Sequence, residues 1–329
     1  LSVYELSPYE TRGVDLRVSE LDPLDLDEAL IEKLPSLNTS RDGDRALGLI
    51  KGRRIDFQRA GDFDKYQAMA AIRDLGMIAC SMRRFNMPLD ALPGLEGCLI
   101  ECSKIAEEVP ADTVYTYGNR NPVNGRMRKF TTHKAEESFI QSLQQGMLSL
   151  PVAVACLDKA QEMGMSDSSF STLVSHSTDY FSQILPGMSS VFKIITPEFF
   201  TNELRPFFEP KTVGGKTYHA AGGAQMPVII LDHILWGSDD TNEMYRQYFE
   251  ENVQYQPRII REKIREISLR GSLSREIDSS GNGHADLSIR GLRAVYGLLI
   301  SMLRFRKPHL KVAQRNMNIR PEGAVGSGG

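Results

Sequence analysis

The stretch that decides the fold is residues 285–317, ADLSIRGLRAVYGLLISMLRFRKPHLKVAQRNM. Its apolar residues recur at steps of three and four, which predicts one buried face of a long helix. The predicted buried face consists of Leu292, Val295, Tyr296, Leu299, Met302 and Leu303. Continued toward the C-terminus, the same face carries Arg306 and then His309. Pro308 lies between them and cannot donate a backbone hydrogen bond, so we expect the helix to bend or break there.

A histidine carried on an apolar face needs a partner for its ring nitrogens. One interpretation of His309 is a core histidine that hydrogen-bonds a carbonyl, with Arg306 extended toward solvent. The other is an axial ligand to a heme iron, with Arg306 placed one turn away to pair with a heme propionate. The spacing leaves both interpretations open.

Composition fits a large, ordinary globular protein. The chain has 329 residues, of which 41% are hydrophobic, so it can bury a sizeable core as one large domain or two unequal ones. A net charge of −3 gives no general attraction to nucleic acid or to an anionic membrane, and we expect neither as a partner. A local basic cluster alternates with the predicted buried face, which argues against a phosphate-binding surface. The cluster consists of Arg304, Arg306, Lys307, Lys311 and Arg315.

The four cysteines predict a reducing environment. Cys98 and Cys102 are one helical turn apart, but no histidine or further cysteine lies close in sequence to complete a tetrahedral metal site. We therefore expect free, buried thiols. The sequence has no uninterrupted run of about 18 apolar residues and no basic-then-apolar start, so we expect a soluble, cytoplasmic protein. The sequence does not indicate the oligomeric state.

Two domains are predicted, a small N-terminal helical domain over residues 1–125 and a large domain over residues 126–329. The loop TYGNRNPVNGRMR, residues 116–128, marks the junction because Asn, Gly and Pro favour turns. The spacing of apolar residues, the cap signal Thr196-Pro197-Glu198 and the Gly214-Gly215 turn predict the remaining elements. They are helices over residues 65–84, 95–108, 135–163 (with a kink at Pro151), 169–194 and from 197, a hairpin over 211–218, two polar helices within 242–268, and an exposed loop over 270–283.

Arg205 lies among four phenylalanines in PEFFTNELRPFFEP. A guanidinium in apolar surroundings is costly unless it meets an anion. That anion is either Glu203 or Glu209, as a structural ion pair, or the carboxylate of an amino-acid substrate.

Asp232 and His233 are polar residues within the apolar segment VIILDHILWG. A carboxylate that accepts the second ring hydrogen of a ligand histidine raises its basicity, so Asp232 is a candidate for that role beside His309. His233 is the alternative ligand for the iron. The other four histidines lie in polar or loop contexts and are not expected to bind metal.

Several motifs of the C-terminal helix resemble a known superfamily. They are Gly291-Leu292-Arg293, Tyr296, Leu303-Arg304 and His309-Leu310. Together they resemble the last helix of the indoleamine and tryptophan 2,3-dioxygenase superfamily, in which the histidine is the proximal heme ligand. Within it, the run from Leu303 to Lys311 is most similar to the PrnB family of pyrrolnitrin biosynthesis. The resemblance extends from about Tyr115 to Gly329 and is strongest after Thr196.

The resemblance implies an all-α, indoleamine 2,3-dioxygenase-like helical bundle that binds heme b through His309, with dioxygen or hydrogen peroxide as co-substrate and a reductase for the heme as partner. It assigns Arg205 to the substrate carboxylate. It places Tyr115, Ser142, Ser327 and Phe139 on the distal side of the heme, Phe200 among the residues that bind the cofactor, and Gly222, Gly223 and Ala224 close to the porphyrin. Met317 stands where the PrnB family has a tyrosine, and Ala224 where the general dioxygenases have a serine.

The function implied is oxidation and rearrangement of the indole ring of tryptophan or a chlorinated tryptophan. Two alternatives stay open at this point. One is a tryptophan or indoleamine 2,3-dioxygenase that forms N-formylkynurenine. The other is a heme-binding sensor or carrier without turnover.

Overall fold

The computed structural model describes Tyr9 and residues 11–123, 125–279 and 289–318; within the last helix, side chains are described through Val312 and at Gln314. The described part is an all-α fold with a single two-stranded hairpin, as predicted. The α-helices are α1 (Arg12–Ser19), α2 (Leu34–Thr39), α3 (Gly43–Gly52), α4 (Lys65–Arg84), α5 (Leu95–Ala106), α6 (Lys134–Met163), α7 (Phe170–Ser182), α8 (Ile184–Ile194), α9 (Pro197–Phe199), α10 (Val228–Leu235), α11 (Glu243–Val253), α12 (Arg258–Arg270), α13 (Leu273–Ser279) and α14 (Ile289–Asn318).

The chain divides into two compact units, and each is assembled from separate segments. The first comprises Leu1–Glu10, Gln145–Ser190 and Ala224–Lys311, and the second comprises Thr11–Gln144, Val191–Gly223 and Val312–Gly329. Residues on both sides of position 125 thus belong to the second unit. The predicted division into domains at that position stays a prediction.

The second unit is built around α4. Asp64 caps this helix by accepting the backbone N–H groups of Tyr66 and Gln67, and the Gln67 side chain accepts the N–H of Asp64 in return. From Ala68 to Met82 every residue of α4 is buried, because the helix is enclosed by α5 and other elements of the unit. This enclosure explains why its apolar residues extend around much of the helix.

Buried ion pairs lie beside this core. Arg73 donates to the carboxylate of Asp74 at 2.7 and 2.8 Å, and Arg128 donates to the same carboxylate at 3.0 Å. Arg120 donates to Asp15 at 3.0 Å and to Glu108 at 2.5 and 2.8 Å. Each fully buried guanidinium therefore meets carboxylates on its N–H groups, which offsets the cost of removing it from water.

The first unit contains α10, all eight residues of which are buried. It packs against α12 and α13. The long helix α14 belongs to this unit through Lys311 and buries Val295, Leu298 and Met302. Gly291 brings the helix close to Phe170, since a Cβ there would lie 3.1 Å from the Phe170 ring.

The hairpin forms as the turn residues predict. Strands β1 (Lys211–Val213) and β2 (Lys216–Tyr218) are antiparallel, with Val213 opposite Lys216. Gly214 and Gly215 both have positive φ, 58° and 76°, which the two-residue turn requires and glycine adopts without strain.

Three predicted elements differ from the structure. The single helix expected over residues 169–194 is two helices, α7 and α8, because Pro186 has no N–H for the carbonyl of Ser182. The exposed loop expected over residues 270–283 contains α13 within its described part. The cap at Thr196 is present, and its hydroxyl accepts the N–H of Phe199 at 3.2 Å, but the helix it starts passes into a π-helical segment at Phe200.

The C-terminal helix also differs. It continues through Pro308 without a break. The predicted buried face was wrong at Tyr296 and Leu303, which are 67% and 45% exposed. The observed face runs through Val295, Leu298 and Met302, and its next positions in steps of three and four are Phe305 and His309.

One helix of the described part, α6, is long and apolar enough to cross a membrane on length and composition alone. Because 61% of its most apolar window is buried inside the protein, a core helix accounts for the same properties.

Candidate functional site

His309 lies on the continued buried face of α14, three residues after Arg306. Its side chain is exposed to solvent, which by itself would suggest an ordinary surface histidine. However, surrounding protein atoms desolvate the ring and lower its pKa, and the nearby charge of Arg306 lowers the pKa further. The imidazole is therefore open to solvent on one side and partly surrounded by protein atoms on the other.

The ring nitrogens of His309 form no hydrogen bond with any residue in the described part of the chain. Its one ring contact is with Phe305, at 5.7 Å between centroids, and Phe305 in turn packs edge-on against Phe181 at 5.9 Å. The described residues thus give no support to a core histidine bonded to a carbonyl, and ligation of a heme iron by His309 stays a prediction. Among the described residues, none occupies either ring nitrogen.

Asp232 was expected to accept a hydrogen bond from His309, but it accepts one from Arg306 instead. The guanidinium of Arg306 also lies over Trp236, with its central carbon 5.5 Å from the ring centroid. The second carboxylate oxygen, Oδ1, is buried and has no hydrogen-bond partner among the described residues. Burial raises the pKa of Asp232 to about 6, against the attraction of Arg306, which lowers it.

His233, the alternative ligand, is enclosed within the first unit. Its Nε2 lies 2.7 Å from the hydroxyl of Ser268, and its ring stacks on Phe249 with centroids 4.0 Å apart. Desolvation lowers its pKa to about 4, so the ring is neutral at neutral pH. Since one nitrogen is engaged and the ring face is covered, His309 is the better placed ligand of the two.

Arg205 begins a short 3-10 turn in the second unit, and its side chain is only 14% exposed. Its Nε lies 3.9 Å from Oε1 of Glu209, at the long end of an ion pair. Glu203, the other expected partner, accepts a hydrogen bond from Arg41 at 2.8 Å. The structural ion pair is thus with Glu209 and not with Glu203.

Phe139 and Phe200, both predicted near the heme, contact each other in the second unit. Their rings meet edge to face at 6.5 Å, and Phe139 also packs against Tyr117 at 6.2 Å. Both rings are partly exposed. Ser142 is partly exposed too and lies one turn beyond Phe139 on α6, so the structure brings these three residues of the second unit onto neighbouring helical surfaces.

The glycine segment, residues 220–225, has the sequence AAGGAQ and adopts a compact form. Gly223 and Ala224 belong to a 3-10 turn, Gly223–Gln225. A Cβ on Gly222 would meet only the carbonyl oxygen of Ala220, at 3.7 Å, which is ordinary contact. Gly222 is partly buried, and its predicted place close to the porphyrin stays a prediction.

Tyr115 is fully buried in the π-helical segment Tyr115–Asn119. Burial raises the pKa of its phenol well above the ordinary value, and the charge of Asp15 raises it further. The guanidinium carbon of Arg120 lies 5.9 Å from the ring centroid. Tyr115 thus adjoins the buried Arg120 ion pairs, and a role on the distal side of the heme stays a prediction.

The sequence did not point to a buried polar group in the second unit. The ammonium of Lys211 donates to Sγ of Cys80 at 2.9 Å, and the pKa of that thiol is raised by burial to about 12. Nearby, Asp112 accepts the hydroxyl of Thr116 at 2.7 Å and the backbone N–H of Ala221, which holds the start of the glycine segment. Burial raises the pKa of Asp112 to about 6. The one available signal was a single acidic residue in the otherwise uncharged segment ADTVY.

Two predicted site residues lie outside the described part. They are Ser327 and the side chain of Met317, whose backbone belongs to α14. Among the described residues, no three His, Cys, Asp or Glu side chains lie together in a way that could hold a metal ion. A heme iron takes four ligands from the porphyrin, so a single histidine suffices for it.

Comparison with known families agrees with the fold and with the motifs of α14. The model of the family described as monodechloroaminopyrrolnitrin synthase PrnB matches residues 49–329, most of the chain. The chain belongs to the PrnB family. It is therefore a PrnB-like enzyme, of a family that acts in pyrrolnitrin biosynthesis.

Proposed function

We propose that this PrnB-like enzyme depends on heme b and oxidatively rearranges the indole ring of tryptophan or a substituted, for example chlorinated, tryptophan. The single observation that carries the proposal is the state of His309. Its imidazole is accessible, desolvated, and without a hydrogen bond to any described residue, in a chain that belongs to the PrnB family.

The residues around His309 fit a heme. The lowered pKa keeps the imidazole neutral at physiological pH, and neutral imidazole is the form that binds iron. Arg306 supplies a cation one turn away that suits a heme propionate. The predicted places of Met317 beside the cofactor and of Ser327 near the substrate stay predictions. When bound, heme b supplies an iron that activates dioxygen or peroxide for oxidation of the indole ring.

Arg205 has the role of binding and orienting the amino-acid substrate. A mostly buried guanidinium with an ion pair as long as 3.9 Å can exchange Glu209 for a better placed carboxylate. Holding the substrate by its carboxylate fixes the direction in which the indole ring points, which lowers the entropic part of the barrier. Phe139 and Phe200 present aromatic surface of the kind that packs against an indole.

The experiment that tests this proposal is reconstitution with hemin, followed by titration with L-tryptophan and with its chlorinated derivatives while the absorption spectrum is recorded. We expect a stoichiometric Soret band that shifts on amino-acid binding, and a product under reducing, aerobic conditions. Mass spectrometry then separates a rearranged product from N-formylkynurenine. A protein that stays colourless with hemin contradicts the heme, and a Soret band unaffected by any of these amino acids contradicts the substrate class.

A further inference from the structure

The outer side of α14 carries a row of exposed apolar side chains spaced seven residues apart. Steps of seven keep residues on one side of a helix, so the four side chains form a continuous line. With exposed fractions between 45% and 67%, they are covered by no described residue. The row consists of Ile289, Tyr296, Leu303 and Leu310.

A row of exposed cations runs beside this apolar row. At about 100° per residue, these five cations lie on one flank. The other flank carries Leu292 and Leu299, which are partly buried, and Arg306, whose charge is paired with Asp232. None of the five exposed cations forms an ion pair within the described part of the chain. The basic row consists of Arg290, Arg293, Arg304, Lys307 and Lys311.

The charge of the basic row argues against the possibility that another segment or a second copy of this chain packs over the two rows. Segments outside the described residues contain few acids, namely Glu5, Glu10, Asp286 and Glu322. A second copy of α14 would bring the same five cations, which repel one another. The surface fits a partner that is acidic and has an apolar centre.

We propose that the two rows are the docking surface of an acidic electron-transfer protein of the flavodoxin or ferredoxin class. This inference rests on the proposed function, because the helix with the docking rows also carries His309, adjacent in sequence to Leu310. If heme b is bound at His309, docking would serve its one-electron reduction from the ferric to the ferrous state by the reduced flavin or iron–sulfur cluster of the partner. The partner is oxidised by one electron, and no bond forms or breaks.

Other anionic partners fit the surface less well. Nucleic-acid binding rests on contacts between cations and phosphates, and a line of four apolar side chains contributes nothing to such contacts. A helix in an anionic membrane surface has its cations on a broad polar face around the apolar one, whereas here the cations flank one side. An acidic protein whose interface has an apolar centre matches both rows.

The test measures binding of the hemin-loaded protein to a flavodoxin and to a [2Fe–2S] ferredoxin by calorimetry, and reduction of the ferric heme by each reduced carrier under anaerobic conditions. The variant is Arg304→Glu/Lys307→Glu/Lys311→Glu, and the matched control reverses three exposed cations elsewhere, Arg12→Glu/Lys51→Glu/Arg59→Glu. We expect the α14 variant to weaken binding to at least one carrier by about tenfold or more, and to slow reduction equally. Reduction by dithionite should be unchanged in both variants.

A second variant, Tyr296→Ser/Leu303→Ser, should weaken binding without altering its dependence on salt, because it removes apolar contact and no charge. Binding of neither carrier, equal weakening by the control, or binding unaffected by the α14 charge reversal would overturn the proposal. So would tight binding of the wild type to phosphatidylglycerol vesicles that the charge reversal abolishes, without binding of either carrier. Failure of the proposed function gives a different result. In that case the protein takes up no heme, but it still binds a carrier through α14, so the docking surface is retained.

Discussion

Arg306 donates a hydrogen bond to the carboxylate of Asp232, 74 residues earlier in the chain. This ion pair ties α14 to α10 within the first unit and places the cation one turn from His309. It also leaves His309 without the carboxylate partner that the sequence suggested, so the orientation of the imidazole depends on packing against Phe305.

The Asp232 carboxylate should make stability depend on pH. Its pKa in the folded protein, about 6, lies above the ordinary value near 3.8, so the fold favours the protonated acid. The stability gained from protonation is fully present below about pH 4 and is lost as pH rises through about 6, a change of about 3 kcal/mol. We predict that Asp232→Asn reduces this loss, measured as the free energy of unfolding in urea between pH 4 and pH 7.

Arg306→Leu should act in the opposite direction, since it leaves the buried carboxylate without its cation. The loss of stability with rising pH should then be larger than in the wild type. Equal pH dependence in the wild type and both variants would mean that Asp232 titrates as it does in water.

Arg120 should be among the most sensitive positions of the second unit. Replacing it by methionine leaves Asp15 and the partly buried Glu108 without their cation, so we predict a loss of about 3–5 kcal/mol in the free energy of unfolding. The matched control is Arg126→Met, because Arg126 pairs with Asp27 near the surface; it should cost about 1 kcal/mol or less. Similar losses in the two variants would contradict the importance of the buried pairs.

The role of Arg205 can be separated from its ion pair. If it binds the substrate carboxylate, Arg205→Leu weakens binding of tryptophan by about tenfold or more while the heme spectrum is unchanged. Glu209→Gln removes the competing acid, so it should leave binding equal or tighter. If instead Arg205 serves only the ion pair, the two variants lose similar stability and neither affects substrate affinity. Loss of heme on Arg205→Leu would show that the residue has been assigned to the wrong role.

Local signals in the sequence predicted local structure well. Helix α4 begins and ends where its spacing predicts. Its start is fixed locally, because the Asp64 and Gln67 side chains cap its first turn. The Gly214-Gly215 hairpin formed for an equally local reason, since both residues have positive φ. The all-α fold was implied by the family resemblance, and the helical spacing of the apolar residues agreed with it.

The face of α14 could not be chosen from spacing alone. Apolar residues occur on both the inner and the outer side of this helix, so the row containing Leu303 and the row containing Leu298 are equally regular. The close approach at Gly291 to Phe170 selects the second, and that contact joins residues far apart in sequence. For the same reason, the pairing of Asp232 with Arg306 and the contact of Lys211 with Cys80 had no sequence signal.

The measurement that tests the central claim most directly is the absorption spectrum of the hemin-loaded protein compared with that of His309→Gly. We predict that the variant loses the Soret band of the wild type and that added imidazole restores it, while His233→Ala behaves as the wild type. A His309→Gly variant with the wild-type spectrum in the absence of imidazole would contradict ligation of the heme iron by this residue.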